Sequence, residues 1–266
     1  VLKQRIVTAL VIGVVLIAIL LWASPRFVQI LFALLLLAGA WEWSAFLRTT
    51  DLTRRALYVL SIAIATAAGW LMSKDVQVER ELLLVSALWW LTALGWVLFL
   101  PGRANSVAAG IAGILVLAPA GVALGRMIEL PAGRALILFL FLMVVAADIG
   151  AFLIGRRWGR AKLAPRVSPG KTWEGVLGGV ALAAVVAVIG SIVFDMPMAP
   201  FLGICTLVIV GSIVGDLTES LFKRFAGLKD SGSLLPGHGG ILDRIDSMTA
   251  AAPLFLLGLH GLGLRG

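Results

Sequence analysis

The stretch Gly215–Asp246, GDLTESLFKRFAGLKDSGSLLPGHGGILDRID, decides how the chain is read, because it sets carboxylates, cations and a histidine between two long apolar segments. Those flanks, residues 200–219 and 246–264, are each long enough to cross a hydrocarbon core of about 30 Å. The rest of the chain repeats the pattern. Of its 266 residues 61% are hydrophobic and only 14% are charged, with a mean hydropathy of +1.05, a composition that excludes an ordinary water-soluble domain. Further apolar runs lie at 6–22, 27–47, 56–72, 82–100, 107–127, 134–154 and 174–194, several with Trp near an end. The expected fold is therefore all-α, a polytopic integral membrane protein of about nine transmembrane helices. The run at 6–22 is long enough to span and no small-residue cleavage site follows it, so it is expected to stay as a helix rather than to be removed as a signal peptide. The single Cys205 lies inside an apolar run, which leaves no disulfide framework and no cysteine metal site.

Charge fixes the expected orientation. With nine spans, Lys3, Arg5, Arg48, Arg54, Arg55, Arg103, Arg156, Arg157, Arg160, Lys162, Arg166, Lys171, Lys223, Arg224, Lys229 and Arg244 fall on one side, and only six of the chain's 22 Lys and Arg fall on the other. The positive-inside rule makes the richer side cytoplasmic. The net charge of +8 is explained chiefly by this anchoring, and its uneven placement also favours anionic ligands. The chain divides into a region of about five spans, 1–133, and a region expected to be catalytic, 134–266, with cytoplasmic loops at 155–175 and 220–245. The first region offers few polar signals. Glu42, between Trp41 and Trp43, is near a predicted cytoplasmic end where it reaches water, and a structural role is favoured for it. Glycines and alanines in the fifth and seventh helices are expected to allow close packing.

Three features in the second region point to chemistry. Asp148 lies inside the sixth helix, where a charge costs about 2.5–3.5 kcal/mol on insertion scales and so faces a cavity, a partner or an ion. The loop 155–175 carries six cations and no acid before Glu174, and its run Ser168, Pro169, Gly170, Lys171, Thr172 precedes an apolar helix. Ser is a favoured N-cap and Pro a favoured first residue, which would put the positive helix end and Lys171 together as an anion site. It is not a P-loop, since Pro165 stands where that motif needs glycine. In the opening stretch, Asp216, Glu219, Ser220 and Lys223 share one face at the end of the eighth helix, where the macrodipole disfavours anions and calls for a cation or a metal. Asp243 and Asp246 share a face at the start of the ninth. Helix-start acids need no special role singly, but carboxylates on both flanks of a glycine-rich loop make a hard oxygen site suited to Mg²⁺ with phosphates.

The pattern Ser220-x-x-Lys223-Arg224-x4-Lys229-Asp230-x-Gly232-x3-Pro236-x-His238-Gly239-Gly240-x-x-Asp243-Arg244-x-Asp246 resembles the signature of the phosphatidate cytidylyltransferase (CDP-diacylglycerol synthase) family in its bacterial form. Ser168–Gly175 and Ala147–Asp148 resemble that family too; Ile149 departs from it, standing where a small hydroxyl residue is expected. The resemblance is sharp over about 140–250 and general before it. It implies a nucleotidyltransferase of phospholipid biosynthesis that uses Mg²⁺ to convert CTP and phosphatidic acid into CDP-diacylglycerol and pyrophosphate. It further implies a bacterial inner-membrane location with the site facing the cytoplasm, phosphatidic acid taken from the cytoplasmic leaflet, a homodimer and no nucleic-acid partner. The expected catalytic residues are Asp216, Lys223, Arg224, Asp243 and Asp246, and the expected metal ligands Asp148, Asp216, Asp243 and Asp246. Substrate contacts are expected from Ser168, Lys171, Thr172, Ser220, Lys229, Asp230, His238, Gly239, Gly240 and Arg244. A CDP-alcohol phosphotransferase would carry an Asp-Gly-x2-Ala-Arg run, which is missing here. An anion transporter would show charges in broken mid-membrane helices and repeated halves, and a lipid-binding scaffold would leave the acids unexplained.

Overall fold

Helix-forming apolar runs bounded by short polar turns give a bundle in which almost every element is a helix. The structure, a computed structural model, describes residues 13–234 and 239–264. Its helices are α1 (Gly13–Trp22), α2 (Pro25–Trp43), α3 (Leu52–Met72), α4 (Val76–Phe99), α5 (Ser106–Met127), α6 (Gly133–Trp158), α7 (Trp173–Val193), α8 (Met198–Ala226) and α9 (Leu242–Gly261). Among the described residues seven helices, α2 to α8, are each long and apolar enough to cross a membrane. The expected all-α, polytopic membrane fold is therefore the observed one. The described part of the first expected span is shorter, because residues 6–12 lie outside the described residues. The ninth, α9, is diluted by Asp243, Arg244, Asp246 and His260. It tolerates that load because it packs against α8, α5 and α4 in the middle of the bundle, where its Ala250–Pro253 segment is buried. By contrast α3 turns Leu57, Leu60, Ile64 and Leu71 outward, as a lipid-facing helix must.

Local sequence explains where the helices start and stop. Ser24, Asp51, Asp75 and Asn105 cap α2, α3, α4 and α5 by accepting backbone N–H groups, each such cap contributing about 1 kcal/mol. Gly227, at φ 75°, ends α8 in the left-handed conformation that glycine adopts without penalty. The eighth helix runs two turns beyond the expected 219. Its last turns are polar in sequence yet buried against α9, so hydropathy alone ends it too early.

Among the described residues the loop 155–175 holds the two strands. Lys162–Ala164 (β1) and Ser168–Thr172 (β2) pair antiparallel. Ser168 is thus a strand residue and not the N-cap of the next helix, and Pro169 is not its first residue. The cap is Thr172, whose hydroxyl oxygen accepts the Gly175 N–H at 3.1 Å. The hairpin wins because it offers the backbone of both strands partners, and Trp173 N–H continues the pairing onto Ala161 O at 2.9 Å. Glu174 completes the closure by accepting the Ala161 N–H. Helices α6 and α7 approach closely through small residues, and a side chain on Gly150 would collide with the Gly178 carbonyl. The close packing expected for the seventh helix is therefore present.

Candidate active site

Two aromatic residues set the frame on which the site is hung. Trp43 and Phe222 are both buried and stack with ring centroids 5.5 Å apart, fixing α2 against α8. Within a bilayer such packing, rather than exclusion of water, holds helices together. Each ring is followed or preceded by a site residue: Lys223 on α8 and Glu42 on α2.

Lys223 is the hub of the buried charge. Its Nζ donates to Glu219 Oε2 at 3.0 Å along α8 and to Asp243 Oδ1 at 2.6 Å on α9. Asp243 Oδ2 accepts two further bonds, from Ser231 N–H at 3.0 Å and Gly240 N–H at 2.9 Å. Asp243 is thus fully engaged, by Lys223 and by the backbone of Ser231 and Gly240. One helical turn further, Asp246 lies within electrostatic range of Asp216 and Glu219.

The second loop joins this cluster through Lys171. From β2 its Nζ reaches Asp216 Oδ2 at 2.6 Å, and Ser220 donates to the other oxygen, Oδ1, at 3.4 Å. Arg224 Nε donates to Val167 O at 3.4 Å. The two charged loops that the parity of the spans put on one side therefore meet. Asp148 opens onto a cavity of about 370 Å³ between α6, α7 and α8, lined also by Lys171, Thr172, Phe152, Val176 and Ile213. It feels the charges of Asp216, Lys171 and Arg244. A recess that combines Asp148, Lys171 and Arg156 with the apolar Phe152, Val176 and Ile213 can take a molecule with a charged head and an apolar body.

The sequence is similar to known proteins along nearly the whole chain. Residues 3–261 match the cytidylyltransferase family. The chain belongs to that family. It is 38% identical over 286 residues to the phosphatidate cytidylyltransferase of Pseudomonas aeruginosa, covering 98% of each chain. It is 36% identical over 280 residues to that of Haemophilus influenzae, covering 96% of this chain and 97% of the other. Against the Brucella suis protein of the same name the identity is 38% over 267 residues, covering 96% and 92%. The family resemblance read from the polar signature is thereby established, together with membership of a nucleotidyltransferase family.

The expected residues are distributed unevenly within this cytidylyltransferase-family site. Asp148, Lys171, Asp216, Ser220, Glu219, Lys223, Asp243 and Asp246 are brought together. Thr172 is buried with its hydroxyl oxygen occupied in capping α7. Arg224, Lys229, Asp230 and Arg244 lie exposed around the rim, Ser168 is half-buried in β2, and Gly239 and Gly240 border Asp243. His238 lies outside the described residues. Among the described residues, no three His, Cys, Asp or Glu side chains form a compact metal-binding group, and Asp243 is turned onto Lys223. The donor set nevertheless fits a hard cation. Glu219 Oε1 is buried with no hydrogen-bond donor, and the carboxylates of Asp216 and Asp246 lie within electrostatic range, a set of oxygens that a positive charge would stabilise.

Sequence reasoning undervalued two residues. Glu219 stood on the expected face without a role of its own. Glu42 was read as an acid reaching water, yet it is 3% exposed and accepts bonds from Ser231 Oγ, Ile241 N–H and Leu242 N–H. Its position between two tryptophans at the end of an apolar run was the available signal; its partners, up to 200 residues away, left none.

Proposed function

We propose that this chain transfers the cytidylyl group of CTP to phosphatidic acid, giving CDP-diacylglycerol and pyrophosphate. The observation that carries the reading is the likeness, over nearly its full length, to relatives named phosphatidate cytidylyltransferase. The geometry supports it, since a cation-bearing polar cluster borders a recess with apolar walls. A phosphate oxygen of phosphatidic acid forms the new bond to the CTP α-phosphorus, the bond from that phosphorus to the bridging oxygen of the β-phosphate breaks, and pyrophosphate leaves. A phosphomonoester with a second pKa of about 6 is mostly dianionic at neutral pH, so the attack needs no general base. The protein's task is to bring two polyanions into line and to offset their charge.

Lys171 and Lys223, with Arg224 and Lys229 at the rim, neutralise the phosphates of the two substrates. Ser220 orients Asp216, while Asp243 holds Lys223 and the backbone of Gly240 in place. The Gly239–Gly240 backbone, Ser168, Asp230, His238 and Arg244 complete the substrate surround. Asp148, Asp216 and Asp246, joined by Glu219, would hold Mg²⁺. When bound it supplies positive charge at the α-phosphate and the departing pyrophosphate. The catalytic region is 134–266, and its site faces the cytoplasm of a bacterial inner membrane. The excess of Lys and Arg on that side of the spans supports the orientation, and the family resemblance favours a homodimer.

The test uses purified protein in detergent with labelled CTP, phosphatidic acid and Mg²⁺, and measures CDP-lipid and pyrophosphate together. Equal amounts of both products are expected. Folded protein that forms neither would overturn the reading.

A further inference from the structure

Glu42 is a charge in the first half of the chain whose bonds all end on the second. A buried carboxylate must be fully satisfied, and the donors to Glu42 belong to Ser231, Ile241 and Leu242, in the connector and the first turn of α9. Oε2 accepts from Ser231 Oγ at 3.0 Å and from Leu242 N–H at 2.8 Å, and Oε1 accepts from Ile241 N–H at 3.0 Å. Helix α9 has no side-chain cap from its own N-cap residue, Ile241, so an acid on α2 supplies the missing acceptor to its first turn. The connector backbone lies so close that a side chain on Gly232 or Gly240 would strike the Glu42 carboxylate.

From Glu42 the bonds lead directly to the reacting region. Ser231, held by Glu42 through its hydroxyl, donates its N–H to Asp243 Oδ2 at 3.0 Å and accepts the Asp243 N–H at 3.3 Å. Asp243 in turn fixes Lys223 at 2.6 Å. The fold has other means of seating α2: Trp43 Nε1–H donates to Ala109 O at 2.9 Å, and the ring packs on Phe46 and Phe222. What Glu42 adds is the placement of the connector. We propose that Glu42 is a positioning residue for cytidylyl transfer, which acts through Ser231 and Asp243 to set Lys223 at the phosphate site. The proposal rests on the function stated above.

The test is turnover per folded molecule in the CTP and phosphatidic acid assay, with folded protein quantified by thermal unfolding. Glu42→Gln retains one good acceptor but turns an amide N–H₂ toward a backbone N–H. Loss of a hydrogen bond to a charged group predicts a fall in kcat of about tenfold or more, with folded yield largely kept. Ser231→Ala should lower kcat less, and the double variant should be no slower than Glu42→Gln alone, since both act on one path. Glu42→Asp, which keeps both oxygens one methylene short, should recover part of the loss. Should Glu42→Gln fail to fold, a lowered kcat in Glu42→Asp and Ser231→Ala supports the proposal, and wild-type kcat in both overturns it. Wild-type kcat in folded Glu42→Gln, or losses that multiply in the double variant, also overturn it. Inactive wild-type protein would sink the functional reading itself, an outcome distinct from these.

Discussion

The bundle buries charge at both ends of α2 and α9, and the two ends are built differently. At one end Glu79 on α4 meets Arg126 of α5 at 3.1 Å and His260 of α9 at 3.4 Å. Arg126 also pairs with Glu129, which accepts from Gln29 of α2 at 2.9 Å. Four helices are tied together there, Arg126 donating to Glu79 Oε1 and Gln29 donating also to the Gly125 carbonyl at 3.2 Å. At the other end Asp216, Glu219, Asp243 and Asp246 face Lys171 and Lys223, Asp243 also draws on backbone N–H groups, and Glu219 Oε1 meets no donor. The first network joins α2, α4, α5 and α9 and serves cohesion. The second carries more acid than its own cations neutralise, which leaves capacity for a cation and phosphates.

This difference can be broken by mutation, in a stated order of effect. Asp246→Ala is expected to abolish CDP-lipid formation, a loss of about a thousandfold or more of the kind seen when a transition-state charge group is removed, while detergent-solubilised protein still unfolds cooperatively. Persistent turnover within tenfold of wild type would remove Asp246 from the metal set. Lys171→Ala separates β2 from Asp216 and takes a cation from the recess, so kcat/KM should fall about a hundredfold. Lys171→Arg should restore only part, because a planar guanidinium does not replace a point charge.

Glu219→Gln sharpens the contrast without reference to turnover. Binding of Mn²⁺ as a Mg²⁺ surrogate, followed by the loss of its free paramagnetic signal, should weaken by about tenfold, as expected for loss of one charged ligand or its neighbour. The matched change at the other end, Glu79→Gln, should leave Mn²⁺ binding and kcat per folded molecule unchanged. It should instead lower stability by about 3 kcal/mol, since it leaves Arg126 buried with its main partner weakened; equal Tm in mutant and wild type would contradict that. Smallest is Thr172→Ala, which removes the α7 cap at a cost of about 1 kcal/mol, readable as a modest drop in Tm.

Much of the site could be read from spacing. Asp216, Glu219, Ser220 and Lys223 share a face because helical geometry requires it, whatever surrounds them. The likeness of the polar signature to one family named the chemistry before any contact was known. The hairpin at 162–172 was not legible, since strands of three and five residues containing Pro169 and Gly170 show neither alternation nor β-branched runs. The capping role of Thr172 was hidden for the same reason: a cap is recognised only once the helix start is placed. The bond from Lys223 to Asp243, at 2.6 Å between α8 and α9, was not legible either, because spacing along one helix says nothing of a partner on another.

By itself the sequence determined the membrane fold, the spans α2 to α8 and the side-by-side placement of the two charged loops. Those follow from bilayer thickness, backbone hydrogen bonding and charge asymmetry, which act along the chain. Only the tertiary structure decided that Lys171 closes on Asp216, that Lys223 bridges α8 to α9 and that Glu42 caps a helix that begins 200 residues later. Such contacts depend on which helices are neighbours and how they are rotated. Packing of Trp43 on Phe222 and of Gly150 on Gly178 sets that, and no local pattern encodes it.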